Sequence, residues 1–235
     1  MKKMFIYLLI TTGSTLFSQE VEGLGLFKLG KFKETQIDSI ATKNKITVED
    51  CDNYNCELQT EYTLHIKRLN ANKEETYKSP TEASYSTNIA VYSLNNYNLN
   101  DRYKSDRITL SFYKSILYKI SISRPQTKLL DDLEIKFGKG ELKKQESTDK
   151  CRTGGRSMEL PSSIYTRTWI NKSRNFTMTY MLMDGHSSDC EERVITSLYL
   201  LDNNIYTIAK DENYNERNKY QKIIEEKKKE SLKDL

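Results

Sequence analysis

Alternation of side-chain character at a period of two is the strongest constraint in this chain. Ile108, Leu110 and Phe112 alternate with Thr109 and Ser111, and Tyr62, Leu64 and Ile66 alternate with Thr63, His65 and Lys67. Ile116, Tyr118, Ile120 and Ile122 alternate with Leu117, Lys119, Ser121 and Ser123. Phe176, Met178, Tyr180 and Leu182 alternate with Thr177, Thr179, Met181 and Met183. Successive side chains of a strand point to opposite faces, so these segments predict antiparallel strands with one face on a core and the other toward water. The runs Ile89–Val91, Tyr165–Ile170 (which holds the only tryptophan, Trp169) and Val194–Leu201 predict further strands, with Ile205–Ile208 as a short last one. The spacer Tyr113-Lys114-Ser115 between two such runs suits a tight hairpin.

Between the strand sets the period changes. Ile37, Ile40 and Ala41 recur at helical spacing, as do Leu129, Leu130, Leu133 and Phe137, which follow Pro125 and end at Gly138. The expected fold class is α+β, with two helix-on-antiparallel-sheet halves in tandem over residues 19–123 and 124–210 and a charged C-terminal helix or tail over 211–235.

Hydrophobic residues make up 37% of the 235, a set that includes 16 Tyr, and charged residues 30%. Such a chain builds a thin core and leaves much of each element facing water. Nine Gly and three Pro exclude collagen-like and Pro/Gly-rich classes. The one apolar run near the start, Met4–Ile10 extended through Phe17, follows Lys2 and Lys3 and runs into Gly13, Ser14 and Ser18. That arrangement predicts a signal peptide over residues 1–18 and a mature chain from Gln19 in the periplasm or outside the cell. With no second long apolar run, an integral membrane protein is not expected. Loss of the leader removes two of the 37 basic residues and leaves 35 against 33 acidic, a formal +2. That balance excludes a generic nucleic-acid binder, which needs a basic stripe.

Cys51, Cys56, Cys151 and Cys190 all follow the leader, and an even count behind a leader implies disulfides. Three pairings are possible. Cys51–Cys56 with Cys151–Cys190 is expected because neither bond then crosses between the halves. One close pair at Cys-x4-Cys spacing, without a histidine ladder, does not make a zinc site, so no metal or cofactor is expected.

Catalytic constellations are missing at the level of motif. The glycines of Gly23–Gly30 lack the spacing of a dinucleotide site. Ser111 and Lys114 have Ser-x-x-Lys spacing on a strand, where helical presentation is absent. Asp211-x-Asn213-x-Asn215 departs from a calcium loop at Glu216 and Lys222. Arg152, Gly154, Gly155 and Arg156 read as a loop beside Cys151. His65 lies mid-strand on the polar phase. Asp184, His186 and Asp189 gather carboxylates and an imidazole, which could serve a base or a metal but equally suits a polar hairpin loop tied by Cys190. Asn-Tyr-Asn occurs at 53–55, 96–98 and 213–215, each in an expected loop. Tyrosine and tryptophan suit interfaces, so Tyr54, Tyr97, Trp169 and Tyr180 are candidates for a contact surface. The expectation is an exported interaction or inhibitor module without catalysis, whose partner is another protein or a cell-surface polymer. Its rivals are a secreted hydrolase using His186 with a nearby carboxylate, and a small-ligand or glycan binder.

The stretch Phe27-Lys28-Leu29-Gly30-Lys31-Phe32-Lys33-Glu34-Thr35-Gln36 resembles the glycine-then-helix opening of small envelope domains of the BamE type. Ile108-x-Leu-x-Phe-Tyr, Leu117-Tyr118-x-Ile120, then Leu129…Leu133, Lys136-Phe137-Gly138 and Trp169 resemble the strand pair, helix and strand of the same units, which occur in tandem in β-lactamase-inhibitor-protein-like folds. The resemblance implies helix-plus-sheet units that bind other proteins, and its motifs carry no functional residue onto this chain.

Overall fold

The computed structural model describes residues 21–57, 63–100 and 103–232. The leader and Tyr62 lie outside the described residues. A short hairpin of β1 (Gly23–Leu24) and β2 (Phe27–Lys28) leads to α1 (Gln36–Lys43), then β3 (Val48–Cys51), β4 (His65–Leu69), β5 (Ile89–Asn100), β6 (Tyr103–Tyr113) and β7 (Ile116–Ser123). After α2 (Thr127–Phe137) come β8 (Glu141–Thr153), β9 (Arg156–Asn171), β10 (Phe176–His186), β11 (Glu192–Asp202) and α3 (Asn203–Ser231). The class is α+β. Nine strands form one sheet in the order β3-β4-β5-β6-β7-β11-β10-β9-β8, parallel between β3 and β4 and antiparallel elsewhere. The strands that follow α1 and those that follow α2 meet at β7 and β11, where Ser123 faces Ser197 and Leu201 faces Lys119.

The alternation seen in sequence sorts side chains between two layers. On one face Ile66, Leu94, Ile108, Leu110, Phe112, Ile120, Ile122, Met178, Leu198 and Leu200 form the main core. Ile37 and Ala41 of α1, Leu129, Leu133 and Phe137 of α2, and Phe27 and Leu29 close over it. On the other face α3 sits over one end of the sheet, with Ala209 fully buried among Cys51, Leu69, Ile89, Val91 and Tyr118. A register shift between Ser111 and Phe112 explains why β7 does not alternate cleanly. Leu117 and Ile120 both reach the main core, while Tyr118 turns to the α3 side. An extra residue in one strand reverses which face its neighbours occupy. The β6–β7 turn uses Lys114 at φ 47° and Ser115 at φ 65°, the left-handed pair that a two-residue hairpin demands. Gly138, at φ 81°, stops α2, and its carbonyl accepts the indole N–H of Trp169 at 2.7 Å.

Three expectations are corrected, and one strand is added. Residues 141–153, on which the alternation is silent, form the edge strand β8. Its side chains are almost all exposed, so it has no apolar phase to read. Ile205–Ile208 is the start of α3, not a strand, because the Asp202 side chain accepts from the backbone N–H of Asn204 and Ile205 and caps a helix there. The helix therefore begins at Asn203 rather than near 211. Of the three Asn-Tyr-Asn segments, 96–98 lies in β5 and 213–215 in α3. Asp202→Ala should cost about 1 kcal/mol in chemical denaturation, with the loss of helical signal preceding loss of the sheet. An unchanged midpoint would remove the cap from the account.

Candidate interaction surface

The register fixes which side chains share a face in the four-stranded end of the sheet. Ile164 pairs with Met183, and Met183 with Ile195, so three apolar side chains stand abreast on β9, β10 and β11. The next row is Thr166, Met181 and Ser197. Ile164, Met181, Met183 and Ile195 are half-buried. Turned to the opposite face, Tyr165, Leu182 and Thr196 form another row, and there Leu142 and Val194 are exposed at 57% and 63%. The root of this region, at Trp169, Met178, Tyr180, Leu198 and Leu200, belongs to the main core, and Leu182 packs against its edge. Arg167 ion-pairs with Glu134 of α2 and marks where the cover of that helix ends.

Two hairpin tips are joined at the far end. Cys151 bonds Cys190, and Arg152 donates its backbone N–H to the Ser188 carbonyl at 2.8 Å. Gly154 and Gly155, at φ 54° and 78°, make the β8–β9 turn, so residues 152–156 are a hairpin tip. Asp149 reaches across to accept the His186 backbone N–H at 2.7 Å, lying over Gly185, where any Cβ would strike its carboxylate. Ser147 and Ser162 hydroxyls hydrogen-bond at 2.7 Å. The second bond joins Cys51 to Cys56. Both pairings follow the expected connectivity.

The singled-out residues scatter. Tyr54 is exposed at 54% in the Cys51–Cys56 loop, and Tyr97 is half-buried with its ring 5.3 Å from Phe27. Trp169 and Tyr180 are buried in the core and cannot face a partner. Burial, together with Asp131 nearby, raises the Tyr180 phenol above its ordinary range. Asp184 is exposed mid-ladder, Asp189 lies in the turn, and His186 ends β10 opposite Glu192. Among the described residues no hydrogen bond or ion pair joins these three side chains, and no group of three metal-ligating side chains occurs. His65 is half-buried on β4 and hydrogen-bonds Thr63 at 2.9 Å. A cleft of about 410 Å³ between the β1–β2 hairpin and α2, and one of about 940 Å³ between Lys73–Tyr77 and the outer half of α3, include none of Asp184, His186 and Asp189. Met183 and Ile195 carry a signal that was readable: Met181 and Met183 occupy the phase of β10 that belongs to polar residues in β6.

A clamp holds α3 on the opposite end. Glu212 accepts from the hydroxyl of Ser86, from Asn88 Nδ2 at 2.9 Å and from Tyr113 at 3.1 Å. Asn213 Oδ1 accepts from Ser84 Oγ at 2.9 Å and the Tyr85 N–H at 2.6 Å. The Ser86 hydrogen bond above all lowers the Glu212 pKa. A carboxyl lowered by folding stabilises the fold above its unfolded pKa, and that contribution fades as pH falls through the folded value. Wild type should therefore be more stable than Glu212→Gln above about pH 5, with the gap closing below the ordinary carboxylate range. A pH-independent gap in denaturation midpoints would break this assignment.

No protein family, curated protein or solved structure matches the chain. Among the described residues no helix is long and apolar enough to cross a membrane.

Proposed function

We propose that this chain is an exported interaction module that grips another protein through the four-stranded end formed by β8–β11, without catalysis. One observation carries the reading. That end has apolar side chains on both faces, Ile164, Met183 and Ile195 on one and Leu142, Tyr165 and Val194 on the other, and lacks among the described residues the helix layers that close the rest of the sheet. Contiguous half-exposed apolar rows on a rigid scaffold mark contact surfaces. The Cys151–Cys190 bond supports a pre-organised surface, because it ties both hairpins before any partner arrives. Two disulfides and the leader-like residues 1–18 support export to the periplasm or beyond. The order of α1 with β3–β7, then α2 with β8–β11, supports two helix-plus-sheet units as the building blocks.

The test compares surfaces. Mature wild type, Met183→Asp with Ile195→Asp, and Ile135→Asp are immobilised, and exported proteins of the source cells are quantified on each. Ile135 is 84% exposed on α2 and serves as the control site. The expected result is one specific partner retained by wild type and Ile135→Asp and reduced at least tenfold on the double variant. Equal recovery on all three ends the reading, as does turnover of a polymer substrate by the purified chain.

A further inference from the structure

One apolar row is shared between the main core and an open cleft. Leu129, Leu133 and Phe137 recur one turn apart on α2, and all three belong to the main core. The same three side chains line the cleft of about 410 Å³ between α2 and the β1–β2 hairpin. The hairpin wall carries a single side chain there, Leu24, because Gly23 and Gly25 flank it, and half-buried Leu99 of β5 lines the cleft as well. Gly25 stands at φ 55°, where a Cβ would press on the Leu99 carbonyl at 3.2 Å, so the hairpin approaches β5 with bare backbone.

Small-molecule sites are concave and mostly apolar, of roughly 300–1,000 Å³, with a few polar groups that fix orientation. Here the polar groups are placed unevenly along the row. Tyr103 donates its hydroxyl to Asp132, which lies level with Leu133. Lys136 stands at the Phe137 end, with Nζ 5.2 Å from the centre of that ring, and among the described residues it has no ion pair. Ile135, 84% exposed, lies beside it at the rim of the cleft.

We propose that this cleft binds a single-chain carboxylate, a medium-length fatty acid lying along α2. From Leu129 to Phe137 is two helical turns, about 12 Å, the reach of an extended chain of roughly ten carbons. The chain covers Leu129, Leu133 and Leu24, and its carboxylate meets the Lys136 ammonium at the open end. Burial of the chain supplies the affinity, and the charged hydrogen bond sets direction and sign. Asp132 is half-buried and Lys136 exposed, so a cationic head seeking Asp132 gives up more water than an anionic head at Lys136. None of these residues lies in β8–β11, so the site is independent of the protein-contact reading.

The mature chain is titrated with hexanoate, decanoate and decyltrimethylammonium, each below its micelle concentration, and read by calorimetry and thermal denaturation. Decanoate should bind one to one and raise Tm by about 5–10 °C at a hundred times its Kd. Affinity should rise about two- to fourfold for each CH2 added between hexanoate and decanoate, as methylenes leave water. Decyltrimethylammonium, of equal chain length, should bind about tenfold more weakly. Lys136→Glu should reverse that order. Ile135→Asp, which sets a carboxylate at the rim, should weaken decanoate about tenfold. Both side chains are exposed, so neither change disturbs the core. Met183→Asp with Ile195→Asp should leave decanoate affinity unchanged. No Tm shift with decanoate, no gain with chain length, equal binding of the two head groups, an unaltered order in Lys136→Glu, wild-type decanoate affinity in Ile135→Asp, or its loss in the Met183 and Ile195 double variant overturns the proposal.

Discussion

Replacing the second disulfide, Cys151→Ser with Cys190→Ser, should lower stability by about 4 kcal/mol and Tm by roughly 8–16 °C. The bond joins residues 39 positions apart, and on the chain-entropy account a loop of that size restricts the unfolded ensemble far more than a short one does. Cys51→Ser with Cys56→Ser, whose bond spans 5 positions, should cost about 2 kcal/mol. The location of the loss matters as much as its size. The β8–β9 tip is exposed on both faces, so amide exchange there should quicken first, around Lys150–Ser157, before the main core opens. Equal losses for the two pairs would remove loop length as the cause. Unchanged exchange at the tip would show that the ladder, and not the bond, holds the hairpins together.

Ile120→Ala should cost about 3–4 kcal/mol, while Ile170→Ala should stay within about 0.5 kcal/mol of wild type. Both are isoleucines in strands of the same sheet. Ile120 is completely buried between Leu110 and Leu200 in the main core, and Ile170 is 56% exposed on the other face. Truncating the first leaves a cavity among side chains from β6, β7 and β11 that cannot relax independently; truncating the second leaves nothing behind. Urea denaturation of the two variants separates the outcomes by more than any extrapolation error. Comparable losses would mean that the sheet does not place Ile120 inward and Ile170 outward.

Much of the sheet was legible because its strands sort side chains by water. Ile108, Leu110 and Phe112 against Thr109 and Ser111 is the pattern of β6, and Leu129, Leu133 and Phe137 with Gly138 mark α2 and its end. The disulfide pairing followed from keeping each bond within one strand set. β8 was invisible for a physical reason: an edge strand with both faces wet has no apolar phase, and Lys143, Lys144, Glu146 and Lys150 protect it from pairing with strangers instead. Ile205–Ile208 misled because four residues of mixed character cannot distinguish a short strand from a helix start, and only the Asp202 cap decides. Trp169 and Tyr180 have the amphipathic character of contact residues, but Trp169 spends its polar atom on the Gly138 carbonyl inside the fold.

The seam between β7 and β11 has a kinetic corollary. Ser123 must wait for Ser197, and Lys119 for Leu201, so the middle of the sheet is closed by its last strand. A polypeptide delivered from its amino end cannot finish this fold until residue 202 has emerged, and until then β7 offers a raw backbone rim to any neighbour. Severing the chain after Ser123 would leave two fragments with complementary open rims rather than two self-sufficient pieces, and mixing them should restore a soluble whole that neither yields alone.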